Sequence, residues 1–276
     1  MKMKIFGLIG LAGLMGLAAC DRIAPEEYTV PVGGDTPQEW RGQRVYVEKY
    51  TGPRCVNCPA ADRTLEAAHG VFGDHLVVVS VNSKTEQFGA PYSGEPDMRT
   101  AVGGEWESYW GDNMSLPAAF INRTAEQYNG AMSNIVGGVQ EVVYGEPSAT
   151  VEVSAELDGQ TVGIDVDVEV LKALSGTVNL SLIVVEDSVA YAQLDGGTRV
   201  EGYVHNHMLR DVVGGTWGWA LDLEGTAGER LSLSRSYTFT NADIVPANCK
   251  IVALLTDAAT KEVLNCAECR ISDESW

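Results

Sequence analysis

The segment VYVEKYTGPRCVNCPAADRTLEAAH, residues 45–69, holds the strongest structural signal in the chain. Its first residues are a strand-like apolar run, and residues 59–69 follow with a helical pattern. Cys55 and Cys58 lie between the two, and Pro59 falls in the first helical turn, where a missing N–H is tolerated. The order predicts a strand that turns through a Cys-x-x-Cys pair into a helix.

Strands and helices continue to alternate through the first half of the chain. Residues 75–82 (HLVVVSVN) are a continuous apolar run of the kind buried on both faces of a sheet. A Gly-rich loop, a short strand at residues 116–122 and a helix near residues 131–143 come next. Strand, helix, strand, loop, strand and helix in this order predict an α/β domain over residues 41–146.

Beyond Pro147 the dominant pattern is the period-2 alternation of strands with one wet face. Valine and isoleucine alternate with acids over residues 162–170, and Asp158-Gly159 before them predicts a tight hairpin. Further strands are predicted near residues 177–186, 230–240, 249–256 and 262–271. About seven short strands in this length predict an all-β, immunoglobulin-like sandwich domain over residues 147–276.

The Cys-x-x-Cys pair suits thiol–disulfide exchange. The spacing places Cys55 at the N-terminus of the predicted helix, where the helix dipole and the neighbouring Arg54 favour the thiolate. Cys58, one turn further and more enclosed, is placed to attack a mixed disulfide formed at Cys55. Pro59 excludes the Cys-x-x-Cys-His pattern of haem attachment, and we expect no cofactor.

The N-terminus has the pattern of a secretory signal, with two lysines followed by 15 uncharged, apolar residues. A bilayer span needs about 20 such residues. The run ends Leu17-Ala18-Ala19-Cys20, which resembles the lipobox of bacterial lipoproteins and implies a signal peptide over residues 1–19 and a lipid on Cys20. The alternative is an ordinary signal peptide that precedes a cysteine by chance. Residues 20–40 mix Pro, Gly and acids and predict a flexible tether.

Several stretches carry a family resemblance. They are EKYTG at 48–52 running into CVNCP at 55–59, LP at 116–117 with NR at 122–123, and YVHNH at 203–207 with LR at 209–210. The chain resembles the thioredoxin superfamily in its strand, Cys-x-x-Cys, helix and later proline, and is more closely similar to the twenty-eight kilodalton outer-membrane lipoprotein family of Bacteroidetes. That resemblance implies a thioredoxin-like domain, a β-domain and an outer-membrane location.

Two more site residues follow from the thioredoxin resemblance. Pro117 matches the cis-proline that lies against the disulfide and helps an extended substrate to pair through its backbone; the alternative is a trans proline at a strand edge. Glu48 lies near the place where thioredoxins carry a buried acid that relays protons to the second cysteine, although strict alignment puts Lys49 there. The alternative for Glu48 is a solvated carboxylate at a strand edge.

The remaining cysteines, Cys249, Cys266 and Cys269, are odd in number, so one thiol is left over. If the last two predicted strands form a hairpin, paired positions sum to about 517, which favours a Cys249–Cys269 disulfide.

We predict no metal site. The two Cys-x-x-Cys pairs, Cys55/Cys58 and Cys266/Cys269, are too far apart in the chain for a zinc ribbon. His205 and His207 could share one strand face and bind a metal, but a packed or hydrogen-bonded structural role is the stronger interpretation.

The charge of the chain bears on its partners. The net charge is −19, and loss of Lys2 and Lys4 with the signal peptide makes it −21, so the surface repels phosphate backbones and nucleic acid is not an expected partner. We expect an envelope thiol–disulfide oxidoreductase anchored to the membrane by lipid, with protein thiols or disulfides as substrates. The alternative is a redox-inert outer-membrane surface binding protein or adhesin whose β-domain carries recognition.

Overall fold

The computed structural model describes residues 39–111 and 114–272. The predicted signal peptide, Cys20 and nearly all of the predicted tether lie outside the described residues. No helix in the described part of the chain is long and apolar enough to cross a membrane. These described residues form one compact unit.

The fold is mostly β-sheet with few helices. In the described residues, the first half of the chain forms β1 (Val45–Thr51), α1 (Cys58–Phe72), β2 (Leu76–Asn82), α2 (Ala101–Trp110), β3 (Ala118–Ile121), β4 (Gln127–Asn129) and α3 (Ile135–Val143). The second half forms β5 (Ala149–Asp158), β6 (Thr161–Val170), β7 (Val178–Glu186), β8 (Val189–Asp195), β9 (Thr198–His205), β10 (Met208–Val213), β11 (Trp219–Ala220), β12 (Arg230–Thr238), β13 (Cys249–Asp257) and β14 (Val263–Arg270).

The strand, Cys-x-x-Cys, helix and strand predicted for the first segment are present. β1 and β2 pair in parallel from Val45 opposite Leu76 to Thr51 opposite Asn82, and β3 pairs antiparallel with the other edge of β1. Every residue of β1 and β2 is buried, as expected of central strands. The apolar stripe of α1 covers one face of this sheet through Leu65 and its neighbours.

The large sheet does not stop at the predicted domain boundary. β10 pairs in parallel with β2 at Met208 opposite Ser80, and the resulting order among the described strands is β14-β13-β7-β10-β2-β1-β3-β4. One apolar cluster also spans both halves, with Val79 of β2 packed together with Ile183 of β7 and Val252 of β13. The large sheet and the apolar core therefore both continue across the predicted boundary between residues 146 and 147. This happens because β10, which comes from the second half, pairs with the edge of β2.

The strands after Pro147 divide between two layers. β5 and β6 form the predicted hairpin around Gly159, and β12 joins them in a separate sheet. The valines and isoleucine of β6 face inward, and its acids face solvent. The inward side packs against β7 and β13 of the large sheet.

A third, two-stranded sheet was not predicted. β8 and β9 form a hairpin that is inserted between β7 and β10, and it turns at Gly196 and Gly197, which both have positive φ (56° and 90°). Among the described strands it pairs with neither of the other sheets.

The predicted Cys249–Cys269 disulfide is absent among the described residues, where both thiols and that of Cys266 are free. β13 and β14 do form a hairpin, but Cys269 lies opposite Ile251, and Ile271 donates its N–H to the Cys249 carbonyl. The register differs from the predicted one by three positions. Burial raises the pKa of Cys249 to about 12 and that of Cys269 to about 11.

Candidate functional site

Cys55 and Cys58 are joined by a disulfide in the turn between β1 and α1, with an S–S distance of 2.11 Å. Cys58 is the first residue of α1, and its N–H donates to the Cys55 carbonyl at 3.3 Å. The turn begins at Gly52, whose carbonyl accepts from the Cys55 N–H at 3.0 Å. A Cβ at Gly52 would lie 2.3 Å from the Phe88 carbonyl oxygen, so the loop that contains Phe88 leaves room only for glycine at this position.

Both cysteines are buried, with Cys55 1% and Cys58 0% exposed. The sequence predicted Cys58 to be the more enclosed of the two, but the structure buries both. Residues 193–196 of the β8–β9 hairpin contact the cysteine turn.

The hairpin is hydrogen-bonded directly to the cysteine turn. The Leu194 N–H donates to the Pro53 carbonyl at 2.8 Å, and the Gly196 N–H donates to the Val56 carbonyl at 3.2 Å. Buried Gln193 donates its side-chain N–H to the Cys55 carbonyl at 3.0 Å. The carbonyls on this side of the turn thus have partners within the same chain.

Side chains connect the hairpin to α1 one helical turn after Cys58. The Tyr203 hydroxyl donates to Asp62 Oδ2 at 3.2 Å, and Asp62 Oδ1 also contacts the ammonium of Lys49. Lys49 is buried, and it occupies the β1 position that alignment with thioredoxins assigned to the proton-relaying acid. At the hairpin tip, Asp195 accepts from Arg63 at 3.0 Å.

Arg54, which the sequence predicted to favour the Cys55 thiolate, makes its hydrogen bonds to two backbone carbonyls of a neighbouring loop. Its Nε donates to the Ala90 carbonyl at 2.9 Å and its Nη2 to the Pro91 carbonyl at 2.8 Å. The guanidinium also lies 5.0 Å from the centre of the Tyr92 ring. The Arg54 side chain therefore holds residues 90–92 close to the cysteine turn.

Pro117 lies at the same end of the sheet as the disulfide. The Leu116–Pro117 peptide bond is cis. β3 begins at the next residue, Ala118, which is paired with Tyr50 near the end of β1. The loop that carries the cysteines leaves β1 just beyond this pair.

Glu48 belongs to a buried network on the opposite face of the sheet from α1. Its Oε1 accepts from the Tyr50 hydroxyl at 2.6 Å and from Trp110 Nε1 at 3.1 Å. Its Oε2 accepts from the Tyr46 hydroxyl at 2.9 Å and from Arg123 Nε at 2.8 Å. Burial, followed by the charge of Glu48, raises the pKa of both tyrosines well above the ordinary value. Glu48 is thus neither solvated nor on the cysteine side, and its contacts assign it a structural role.

His205 and His207 are packed at the base of the hairpin. The His205 ring stacks on Tyr191 at 3.6 Å, and His207 Nδ1 lies 3.1 Å from Lys250 Nζ. Burial lowers the pKa of each imidazole to about 3, so both are neutral at physiological pH. Within residues 39–111 and 114–272, no group of three or more His, Cys, Asp or Glu side chains is placed to hold a metal ion.

A cavity of about 450 Å³ lies between α1 and the end of β9. Its lining includes Lys49, Asp62, Leu65, Ser80, Tyr203 and His207. Sequence reasoning missed Asp62, Gln193 and the whole hairpin. Tyr203 lay within the YVHNH motif, but nothing in the sequence pointed to a partner 141 residues away.

The comparisons with known proteins agree with this mostly β architecture and with an envelope protein. Residues 104–275 match the family model described as outer membrane protein Omp28, so the chain belongs to the Omp28 family. It is therefore an outer membrane protein of the cell envelope, as the resemblance in the sequence implied. No curated protein matches the sequence.

Solved structures with similarity to the chain include two of comparable extent. HBP35 of Porphyromonas gingivalis has a TM-score of 0.62 at 13% identity, covering 84% of this chain and 76% of that one. AGR_C_4864 of Agrobacterium tumefaciens has a TM-score of 0.51 at 17% identity, covering 87% and 98%. A domain of the outer membrane lipoprotein Omp28 of P. gingivalis has a TM-score of 0.33 at 20% identity, covering 47% and 92%. At these identities the first two establish similarity of fold alone.

Proposed function

We propose that this chain is a thiol–disulfide exchange protein of the cell envelope, anchored through a lipid on Cys20. The observation that carries the proposal is the Cys55–Cys58 disulfide in the turn from β1 to α1, with the cis Pro117 at the same end of the sheet. Protein thiols and disulfides are its substrates.

The proposal includes two fold assignments. Residues 41–146 form a thioredoxin-like domain, supported by parallel β1 and β2 joined through α1 and by antiparallel β3 and β4 beside them. Residues 147–276 form an immunoglobulin-like sandwich, supported by two layers of strands packed through one apolar cluster. The two domains share the large sheet.

The exchange runs in two steps. The Cys55 thiolate attacks one sulfur of a substrate disulfide, forms a bond to it and expels the other substrate sulfur as a thiolate. The Cys58 thiolate then attacks Cys55, expels the second substrate sulfur and closes the Cys55–Cys58 disulfide. Two electrons pass to the substrate, whose thiolates take up the two protons that the cysteine thiols released. Oxidation of a substrate dithiol is the reverse sequence.

The position of α1 supports Cys55 as the attacking group. Because α1 begins at Cys58, the turn that holds Cys55 faces the positive end of the helix dipole, which favours a thiolate there. Cys58 lies within the first helical turn, next to Cys55, where it can attack a mixed disulfide formed there.

Trapping of partners tests the proposal. Cys58→Ser leaves the attacking thiol without a resolving one, so mixed disulfides accumulate on Cys55 and appear on non-reducing gels of cell envelopes. Cys55→Ser and the Cys55→Ser/Cys58→Ser double variant trap nothing. Cys58→Ser/Cys269→Ser is the matched control, since it also removes a half-buried free thiol on β14, outside the cysteine turn, and is expected to keep full trapping. Equal trapping by Cys58→Ser and Cys55→Ser would refute the assignment of roles.

The second candidate is a redox-inert surface binding protein or adhesin. The observation that favours it is the burial of both sulfur-bearing residues beneath the hairpin. In that case the disulfide is a structural cross-link between the turn and α1, and the Cys55→Ser/Cys58→Ser variant loses stability while Cys58→Ser captures no partner.

A further inference from the structure

The hairpin that covers the disulfide is a separate element of the fold. It leaves the large sheet after β7 and returns to it at β10, passing through Ser188 and His207, which both have positive φ (61° and 60°). Two hydrogen bonds join the ends. The Ser188 N–H donates to Asn206 Oδ1 at 2.9 Å, and the His207 N–H donates to Asp187 Oδ1 at 2.8 Å. The backbone therefore changes direction at both ends of the hairpin, and these ends lie side by side.

The hairpin has no residue in the larger apolar clusters of the described protein. Its Tyr191 lies in a small separate cluster with Met98 and Met208, and Ala192 is also buried. Cavities flank it on both sides, about 450 Å³ between β9 and α1 and about 550 Å³ between β8 and the segment around Met98. Elements with few buried apolar contacts open at lower free energy than the core.

The covered state also leaves polar groups without partners. The Tyr191 hydroxyl and His205 Nε2 are buried and have no hydrogen-bond partner among the described residues. Such groups regain hydrogen bonds with water once they are exposed, so part of the cost of opening is returned. The neutral state of buried His205 is consistent with this dry environment.

The hairpin nevertheless occupies the surface that an exchange partner needs. Its donors bind the carbonyls of Pro53, Cys55 and Val56, so the hairpin lies directly on the turn that carries the cysteine pair. An extended polypeptide that brings its disulfide to Cys55 has to approach the same turn. The hairpin and a partner therefore cannot contact the cysteine turn at the same time.

We propose that the β8–β9 hairpin is a lid over the cysteine pair, which swings about its clasped base at residues 187–188 and 206–207 to admit a partner. This inference rests on the proposed function, since it describes access to that site. In the closed state the lid shields the disulfide from adventitious thiols, and exchange is restricted to partners that displace it.

The rate at which dithiothreitol reduces Cys55–Cys58 tests the lid. The dithiol is oxidised to its cyclic disulfide as the protein disulfide is reduced to two thiols, and acid-quenched samples are read by mass spectrometry of the alkylated peptide. Gln193→Ala removes the donor to the Cys55 carbonyl, and Tyr203→Phe removes the hydroxyl on Asp62. Each is expected to raise the rate about three- to tenfold, the loss of one hydrogen bond that is made only when the lid is closed. The double variant gives the product of the two factors.

Glu201→Ala is the matched control. Glu201 is an exposed hairpin residue that pairs with Arg199 of the same strand, so its loss leaves the rate unchanged. If buried Gln193→Ala does not fold, Tyr203→Phe and Asp195→Ala carry the test, and urea unfolding verifies each variant. Equal reduction rates in wild type and all variants would overturn the lid.

The assay separates the lid from the proposed function. Dithiothreitol needs no natural partner, so an accelerated variant that traps nothing after Cys58→Ser supports the lid and refutes the exchange function. Trapping in a protein whose reduction rate ignores the hairpin variants supports the exchange function and refutes the lid.

Discussion

Replacement of Arg123 by methionine tests the buried network around Glu48. The Arg123 Nη2 lies 2.7 Å from Glu48 Oε2, and the two side chains are 1% and 0% exposed. The guanidinium also lies 4.5 Å from the ring centre of Trp106 and 5.1 Å from that of Trp217. Methionine keeps part of the apolar volume and removes only the charge and the donors.

The expected loss in the free energy of unfolding is about 3 to 5 kcal/mol, the usual cost of leaving a buried charge without its partner. The three neutral donors that remain on Glu48 place the value towards the lower part of this range. Glu48→Gln in the Arg123→Met background removes the orphaned charge, so the double variant is expected to be more stable than Arg123→Met alone.

Urea unfolding followed by circular dichroism gives these values. Arg230→Met, which loses an exposed ion pair with Glu169, is the control and is expected to change stability by less than about 0.5 kcal/mol. An Arg123→Met variant as stable as this control, or single-variant losses that simply add in the double variant, would refute the coupling of Glu48 to Arg123.

Three other predictions concern local features. Gly52→Ala forces a Cβ to within 2.3 Å of a carbonyl oxygen and is expected to lower the free energy of unfolding by about 2 kcal/mol or more, measured in urea. Lowering the pH from 7 to 5 is expected to destabilise the protein. Burial lowers the pKa of His205 and His207 to about 3 in the folded state, whereas in the unfolded state their pKa is about 6.5, so the unfolded state binds the extra protons. His205→Gln is expected to make this loss of stability smaller by up to about 2 kcal/mol. Iodoacetamide is expected to modify half-buried Cys269 before Cys266, whose pKa full burial raises further, as peptide mass spectrometry can establish; modification in the reverse order would contradict the burial.

Local patterns predicted the elements around the site closely. The strand predicted at residues 45–50 is β1, the helix at 59–69 lies within α1, and the run at 75–82 contains β2. Periodicity and capping residues act within a few positions of one another, and the same holds for the Asp158-Gly159 turn.

Long-range pairing is what the sequence could not supply. The parallel contact of β10 with β2 joins Met208 to Ser80, and the hairpin contacts join Gln193 to Cys55. Neither pair has a signal in hydrophobic period or turn chemistry, because each residue satisfies its own local pattern first. Both pairings connect residues on the two sides of the predicted boundary at residue 147.

The thioredoxin resemblance, and not a local pattern, proposed Glu48 as the acid of the site. Adjacent residues of a strand face opposite sides, so Glu48 and Lys49 could not both face α1. The resemblance brought Glu48 into the candidate site, whereas packing placed Lys49 there with Asp62 as its partner. The pairing predicted for Cys249 was wrong because the position of the turn between β13 and β14 was assumed, and a different turn shifts every paired position of the hairpin.

The pH dependence of Cys55 alkylation in the reduced protein tests the central claim most directly. Iodoacetamide modification is followed by mass spectrometry of the peptide that contains both cysteines, with Cys58→Ser used to assign the signal to Cys55. The midpoint in pH is the quantity of interest, since a rapid opening equilibrium of the hairpin scales every rate by the same factor. A redox-active Cys55 at the positive end of α1 titrates below the roughly 8.5 of a free cysteine. A midpoint at or above that value would contradict the assignment of Cys55 as the attacking thiol.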